Sequence, residues 1–142
     1  MHVSGTATAT IDLPVDQAWA ILADHEGMSS WGPGITVTLT TEGSPDRNGV
    51  GAVRRIVAPG PAPAIVEEVT AFDQNRYLAY RALSGVPLRD YRGEVELADH
   101  DGKTFVSYTV HADSRIPLVE KAAVKGLATG LLAAYARACK KA

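Results

Sequence analysis

The chain has 142 residues, a length that fits one domain and leaves no room for a second of ordinary size. Hydrophobic residues make up 46% and charged residues 21%, globular proportions that exclude a disordered, collagenous or coiled-coil chain. Fourteen basic against sixteen acidic residues give a formal net charge of −2, so no basic excess draws in nucleic acid or an anionic membrane.

Short alternating runs dominate the chain. Val3 to Ile11 alternates small apolar residues with Ser4, Thr6, Thr8 and Thr10 and predicts a strand. Pro14-Val15-Asp16-Gln17 opens a short helix, since proline suits a first helical turn, and Ala18, Trp19, Ile21 and Leu22 give it an apolar face. A second short helix over His25 to Ser30 ends at Trp31-Gly32-Pro33-Gly34. Six strand patterns follow, at Thr36–Glu42, Val50–Ala58, Ala64–Phe72, Tyr77–Leu83, Asp90–Ala98 and Thr104–Ala112. Short turns between them make antiparallel hairpins. Pro117 to Lys141 then reads as one long helix, with Ile116, Val119, Ala123, Leu127, Leu131, Ala134 and Ala138 on one face. The order predicts an α+β domain spanning residues 1–142: a seven-stranded antiparallel sheet whose apolar face one long C-terminal helix must cover.

Hairpin arithmetic gives a register. A turn at Pro59–Ala62 sets Ile56 opposite Ile65, Arg54 opposite Glu67 and Ala52 opposite Val69. A turn at Asp73–Arg76 sets Val69 opposite Tyr80 and Ala71 opposite Leu78. A turn at Asp99–Gly102 sets Leu97 opposite Thr104, Val95 opposite Val106, Gly93 opposite Tyr108 and Tyr91 opposite Val110. Opposed residues share a face, so these residues form one inner face, while Arg55, Glu68, Thr70, Arg81, Arg92, Glu94, Glu96, Ser107, Thr109 and His111 face water. Two inner-face features stand out. Arg54 and Glu67 lie opposite each other among apolar neighbours and need partners. Tyr80, Tyr91 and Tyr108 lie beside glycine and alanine, where a filled core would favour Leu, Ile or Phe. The long helix is rich in alanine and glycine, which either bring it close to the sheet or leave room beneath it; room for a cavity is the favoured expectation.

Other chemistry is thinly represented. His2, His25, His100 and His111 show no metal-ligand spacing, and Asp24-His25-Glu26 reads as a helix start. The sequence has no Gly-x-Ser-x-Gly elbow, phosphate loop or dinucleotide fingerprint. No metal or cofactor is expected. Cys139, the single cysteine, allows no internal disulfide and fits a reducing compartment. Met1–Gly5 lacks the basic and apolar runs of a leader, and no apolar run approaches the ~20 residues of a membrane span, so a cytoplasmic location without integral membrane association is expected.

Several motifs, in this order, resemble the START/Bet v 1-like superfamily in its polyketide cyclase/dehydrase branch. They are Ile11-Asp12-Leu13-Pro14-Val15-Asp16-Gln17-Ala18-Trp19, Trp31-Gly32-Pro33, Gly51-Ala52-Val53-Arg54, Glu67-Glu68-Val69-Thr70-Ala71-Phe72-Asp73, Tyr80 and Gly102-Lys103-Thr104. The resemblance implies a helix-grip fold, with a bent sheet wrapped around the C-terminal helix and a cavity for a hydrophobic or amphipathic small molecule. The expected ligand-binding residues are Trp31, Arg54, Ile56, Glu67, Val69, Tyr80, Tyr91, Val95, Tyr108 and Leu127, with Arg54 and Glu67 as catalytic candidates. Trp31–Ile35, Ala58–Pro63 and Ser84–Arg89 are expected at the mouth. Three readings remain open: a lipid- or polyketide-binding protein, a polyketide cyclase/aromatase-type enzyme, and a protein-interaction domain without an open cavity. Arg54 and Glu67 are either a structural brace or a ligand anchor, and the oligomeric state is monomer or homodimer.

Overall fold

The computed structural model covers residues 1–142. In chain order it contains β1 (His2–Ile11), α1 (Val15–Ala23), a 3₁₀ helix (Glu26–Ser30), β2 (Thr36–Thr41), β3 (Val53–Val57), β4 (Ile65–Asp73), β5 (Tyr77–Ser84), β6 (Arg89–His100), β7 (Lys103–Asp113) and α2 (Pro117–Lys140). The strands form one antiparallel sheet in the order β1-β7-β6-β5-β4-β3-β2, so β1 and β2 are its edges. Register shifts fall within β2–β3, β4–β5 and β6–β7. Such bulges bend and twist a sheet.

The β3–β4 register follows the expectation, with Arg54 opposite Glu67 and Ile56 opposite Ile65. Two other pairings differ. In β6–β7 the partners are Leu97 with Val106, Val95 with Tyr108 and Gly93 with Val110. The turn is the two-residue Asp101-Gly102, with φ of 53° and 82°, and not the four-residue Asp99–Gly102. Asp-Gly in this conformation matches the twist of a tight hairpin. The slip is two residues, so every side chain keeps its face. In β4–β5 Val69 meets Tyr80 as expected, but a bulge at Val69/Ala71 places Phe72, not Ala71, opposite Leu78. Phe72 then packs edge-on against Trp19 at 5.1 Å. β3 also starts at Val53 rather than Val50, because Gly51 turns the chain at φ 88°.

The largest correction concerns α2. Its fully buried side chains are Val124, Ala128, Leu132, Tyr135 and Cys139; of the expected face, Leu131, Ala134 and Ala138 are half-buried against the core, whereas Ile116, Val119, Ala123 and Leu127 are not buried. Ala123 is exposed, as are Val119 and Leu127 at 63% and 37%. α2 lies along β1 and β7 at one side of the sheet. Gly5 sets that position: a Cβ there would lie 2.5 Å from the backbone N and Cα of Lys125. The helix backbone therefore rests directly on β1, and Lys125 Nζ donates to the Thr6 carbonyl. At its far end the Tyr135 hydroxyl donates to the Ala18 carbonyl at 2.5 Å, and the Tyr135 ring meets Trp31 at 5.6 Å. No helix is long and apolar enough to cross a membrane.

Candidate functional site

The inner face divides into a sealed polar cluster and an open apolar end. Arg54 on β3 and Glu67 on β4 are each only 4% exposed. Arg54 Nε donates to Glu67 Oε1 at 2.9 Å, and Nη2 approaches the same oxygen at 2.8 Å. Arg54 Nη1 donates to His25 Nδ1 at 3.0 Å and contacts the Met28 sulfur at 3.2 Å. The guanidinium carbon sits 4.7 Å from the centre of the Tyr80 ring, a cation–π distance. The Tyr80 and Tyr108 hydroxyls bond each other at 2.6 Å, and the Tyr80 and Tyr91 rings lie 6.3 Å apart. The Tyr80 ring covers Gly93, where any side chain would collide with it.

Sequence reasoning missed His25, which is 0% exposed. Its Nδ1 accepts from Arg54, so Nε2 carries the proton and donates to the Asn48 carbonyl at 2.7 Å. Burial, then the Arg54 charge, push its pKa down to about 4, and the ring is neutral above that. A buried arginine carries five donors and Glu67 takes only some of them. That surplus is the signal pointing to a second acceptor. His25, the residue that caps the start of the 3₁₀ helix, supplies it.

Electrostatics around the cluster resist new charge. Burial is the largest single influence on Arg54 and opposes its charge, but Glu67, Tyr80 and Tyr108 together outweigh it and the pKa is raised. Burial raises the Tyr80 and Tyr108 pKa values, and burial with the Glu67 charge pushes Tyr91 up to about 12. At neutral pH the three tyrosines therefore stay protonated and His25 stays neutral.

The expected site residues separate accordingly. Arg54, Glu67, Val69, Tyr80, Tyr91, Val95 and Tyr108 are all buried on the inner face. Trp31 is buried against α2. Ile56 is half-buried, and Leu127 is exposed on α2 outside its buried face. The tyrosines pack with Leu78, Val95 and Val106 in one hydrophobic cluster, rather than lining a wide cavity as the small residues of α2 had suggested.

Beyond Arg54 and Glu67 the inner face opens. Ile56, Ile65 and Ala82 continue it toward the loop end and are half-buried. Ile35, Val86 and Leu88 in the adjoining loops are also half-buried. These loops touch: a Cβ on Gly34 would collide with Pro59, and one on Gly85 with the Ala64 carbonyl. A cleft of about 440 Å³ lined by Pro87, Leu88, Arg89, Arg115 and Glu120 joins the rim to the start of α2. A separate cleft of about 420 Å³ lies at the opposite end, between Thr10–Leu13 and Ala136, Cys139 and Lys140. No group of three or more His, Cys, Asp or Glu residues is arranged to hold a metal.

Three solved structures share this architecture. A START superfamily protein from Mycobacterium smegmatis matches with a TM-score of 0.81 at 13% identity, over 99% of both chains. The Zhui aromatase/cyclase from Streptomyces sp. R1128 matches with a TM-score of 0.79 at 21% identity, over 99% of this chain and 95% of its own. Ara h 8.0201 matches with a TM-score of 0.76 at 18% identity, over the whole of both chains. At these identities the likeness shows the helix-grip fold of the START/Bet v 1 superfamily and no particular activity. No curated protein matches by sequence. The sequence profile of one family, described as polyketide cyclase / dehydrase and lipid transport, matches residues 2–142, and the chain belongs to that family.

Proposed function

We propose that the protein binds a hydrophobic or amphipathic small molecule in the open end of its inner face. One observation carries this reading: Ile35, Ile56, Ile65, Ala82, Val86 and Leu88 stay only half-buried beside loops that touch one another, and Leu88 lines the cleft of about 440 Å³. A pocket needs mostly apolar lining and a few placed polar groups. Ile56, Ile65, Ala82 and Leu88 supply the lining, and the buried Arg54–Glu67 pair and the tyrosines form the closed floor beneath it. Leu127 and Leu131 on α2 lie on the stripe beside its buried ridge and would close over the ligand. Val69 and Val95 act from beneath, as packing that fixes the floor, and Trp31 pins the 3₁₀ segment to α2.

The competing reading is cyclisation of a polyketide-like chain, which the family description and the Zhui aromatase/cyclase likeness favour. The geometry weighs against it. Arg54 is neutralised by Glu67, both His25 nitrogens are engaged, and burial holds the tyrosines protonated. The interaction-domain reading loses ground to the rimmed opening. Native mass spectrometry of freshly purified protein, with solvent extraction of what leaves it, tests the proposal. A non-covalent added mass that returns unchanged after incubation with fresh protein is the expected result. Conversion of that molecule by the wild type but not by Arg54→Ala would instead establish the enzyme. A bare polypeptide that also fails to bind anilinonaphthalene sulfonate would overturn the binding role.

A further inference from the structure

The start of α2 presents apolar side chains to water. Leu118 is 86% exposed, the most of any large apolar residue, and Ile116 and Val119 are each more than half exposed. Single exposed aliphatic residues are ordinary, but a contiguous run marks a contact surface. The run does not fray. Glu120 Oε1 accepts from the backbone N–H groups of Arg115 at 3.0 Å and Ile116 at 3.2 Å, which holds Ile116–Val119 at the head of the helix. The segment stands as a ridge between two clefts. Leu88, Arg89 and Arg115 line the one already described, and Val3, Pro117, Leu118 and Lys121 line another of about 410 Å³. Cations therefore flank the ridge on both sides. The neighbouring carboxylates do not neutralise them: Glu120 is engaged by backbone N–H groups and Asp113 lies 3.7 Å from Arg89, so Arg115 and Lys121 form no ion pair. The formal net charge of −2 belongs to the chain as a whole, and this patch has the opposite sign. It would therefore be the part of the chain that an anionic surface attracts.

We propose that Ile116–Val119, with Arg89, Arg115 and Lys121, docks the protein reversibly on an anionic lipid surface. The aliphatic tips would enter the acyl boundary while the long basic side chains stay at the level of the phosphates. A fluid bilayer closes around a ridge without matching its shape. A stable protein interface instead buries about 1,200–2,000 Å² of complementary surface, far more than a short ridge offers. Because Leu88 lines the same cleft as Arg89 and Arg115, docking brings the open end of the inner face to the bilayer. The proposal does not rest on the binding role, since vesicle binding is read without any ligand. The test is flotation of the wild-type protein at low salt with vesicles of equal parts phosphatidylcholine and phosphatidylglycerol, and with vesicles of phosphatidylcholine alone. The protein should float with the mixed vesicles, stay behind with phosphatidylcholine, and be released as salt rises. Leu118→Ser should weaken binding about tenfold, and the exposure of Leu118 leaves the fold independent of it. Arg115→Gln and Lys121→Gln should each weaken it about fivefold. Failure to float with the mixed vesicles, equal flotation with both kinds, or binding unchanged by these substitutions overturns the proposal. So does a wild-type protein that sediments as a dimer and becomes monomeric in Leu118→Ser, because the ridge then belongs to a second copy of the chain.

Discussion

The inner face of this sheet is built in two ways along its length. Toward its middle, Arg54, Glu67, His25, Tyr80 and Tyr108 are buried and bonded to one another. Toward the loop end, Ile56, Ile65 and Ala82 continue the same face, yet they are only half-buried. Polar residues are therefore sealed while apolar ones on the same face stay half-buried, the reverse of what burial alone would arrange. The position of α2 explains the inversion. The helix rests on β1 and β7 through Gly5, and the 3₁₀ segment with His25 and Met28 covers the polar cluster instead. The sealed end should then carry stability, and the open end should carry binding.

Substitutions can break that division, and the largest effect belongs to the sealed end. Glu67→Ala leaves a buried arginine unpaired and should cost about 3–5 kcal/mol in chemical denaturation. A loss under ~1 kcal/mol, the range of an exposed pair, would mean the cluster is not sealed. Acid should act through His25. The unfolded chain takes a proton near the ordinary 6.5, whereas the folded protein resists until about 4. The stability gained by burying neutral His25 is complete above 6.5 and is lost as pH falls toward 4, on the order of 3 kcal/mol in all. Asp113 and Glu120, held low by the N-terminal amine and by backbone N–H groups, respond only at lower pH. Denaturation at a series of pH values should therefore show a slope in this window that His25→Gln flattens.

Smaller effects test the seat of the helix and the open end. Gly5→Ala drives a methyl group into the Lys125 backbone and should cost about 1–3 kcal/mol, read as a lower denaturation midpoint. Leu127→Glu should change stability by no more than about 0.5 kcal/mol, because the side chain is exposed. The same substitution should weaken binding of anilinonaphthalene sulfonate about tenfold if Leu127 closes over the site. Unchanged probe binding would remove Leu127 from the site.

Much of the fold was legible because antiparallel hairpins make register a matter of counting. Arg54 against Glu67 followed from the Pro59–Ala62 turn. The β6–β7 pairing missed by two residues because Asp101-Gly102 turns alone, yet parity kept the inner face intact. The bulge that substitutes Phe72 for Ala71 left no mark in the alternation. α2 misled for a different reason: it carries two apolar stripes, and the more aliphatic one is not the buried one. The choice between them was made by Gly5, more than a hundred residues away, through the side chain it lacks. His25 was hidden because its role depends on an arginine on another strand, not on any spacing in its own segment.

Methyl-resolved NMR during titration with anilinonaphthalene sulfonate tests the central claim most directly, because it reports which end of the molecule the ligand occupies. The division argued here predicts shifts at Ile56, Ile65, Leu88 and Leu127, with Ile11 and Leu22 at the opposite end unmoved. Shifts confined to Ile11 and Leu13, beside the cleft under the last turns of α2, would contradict it and move the binding site to the other end of the fold.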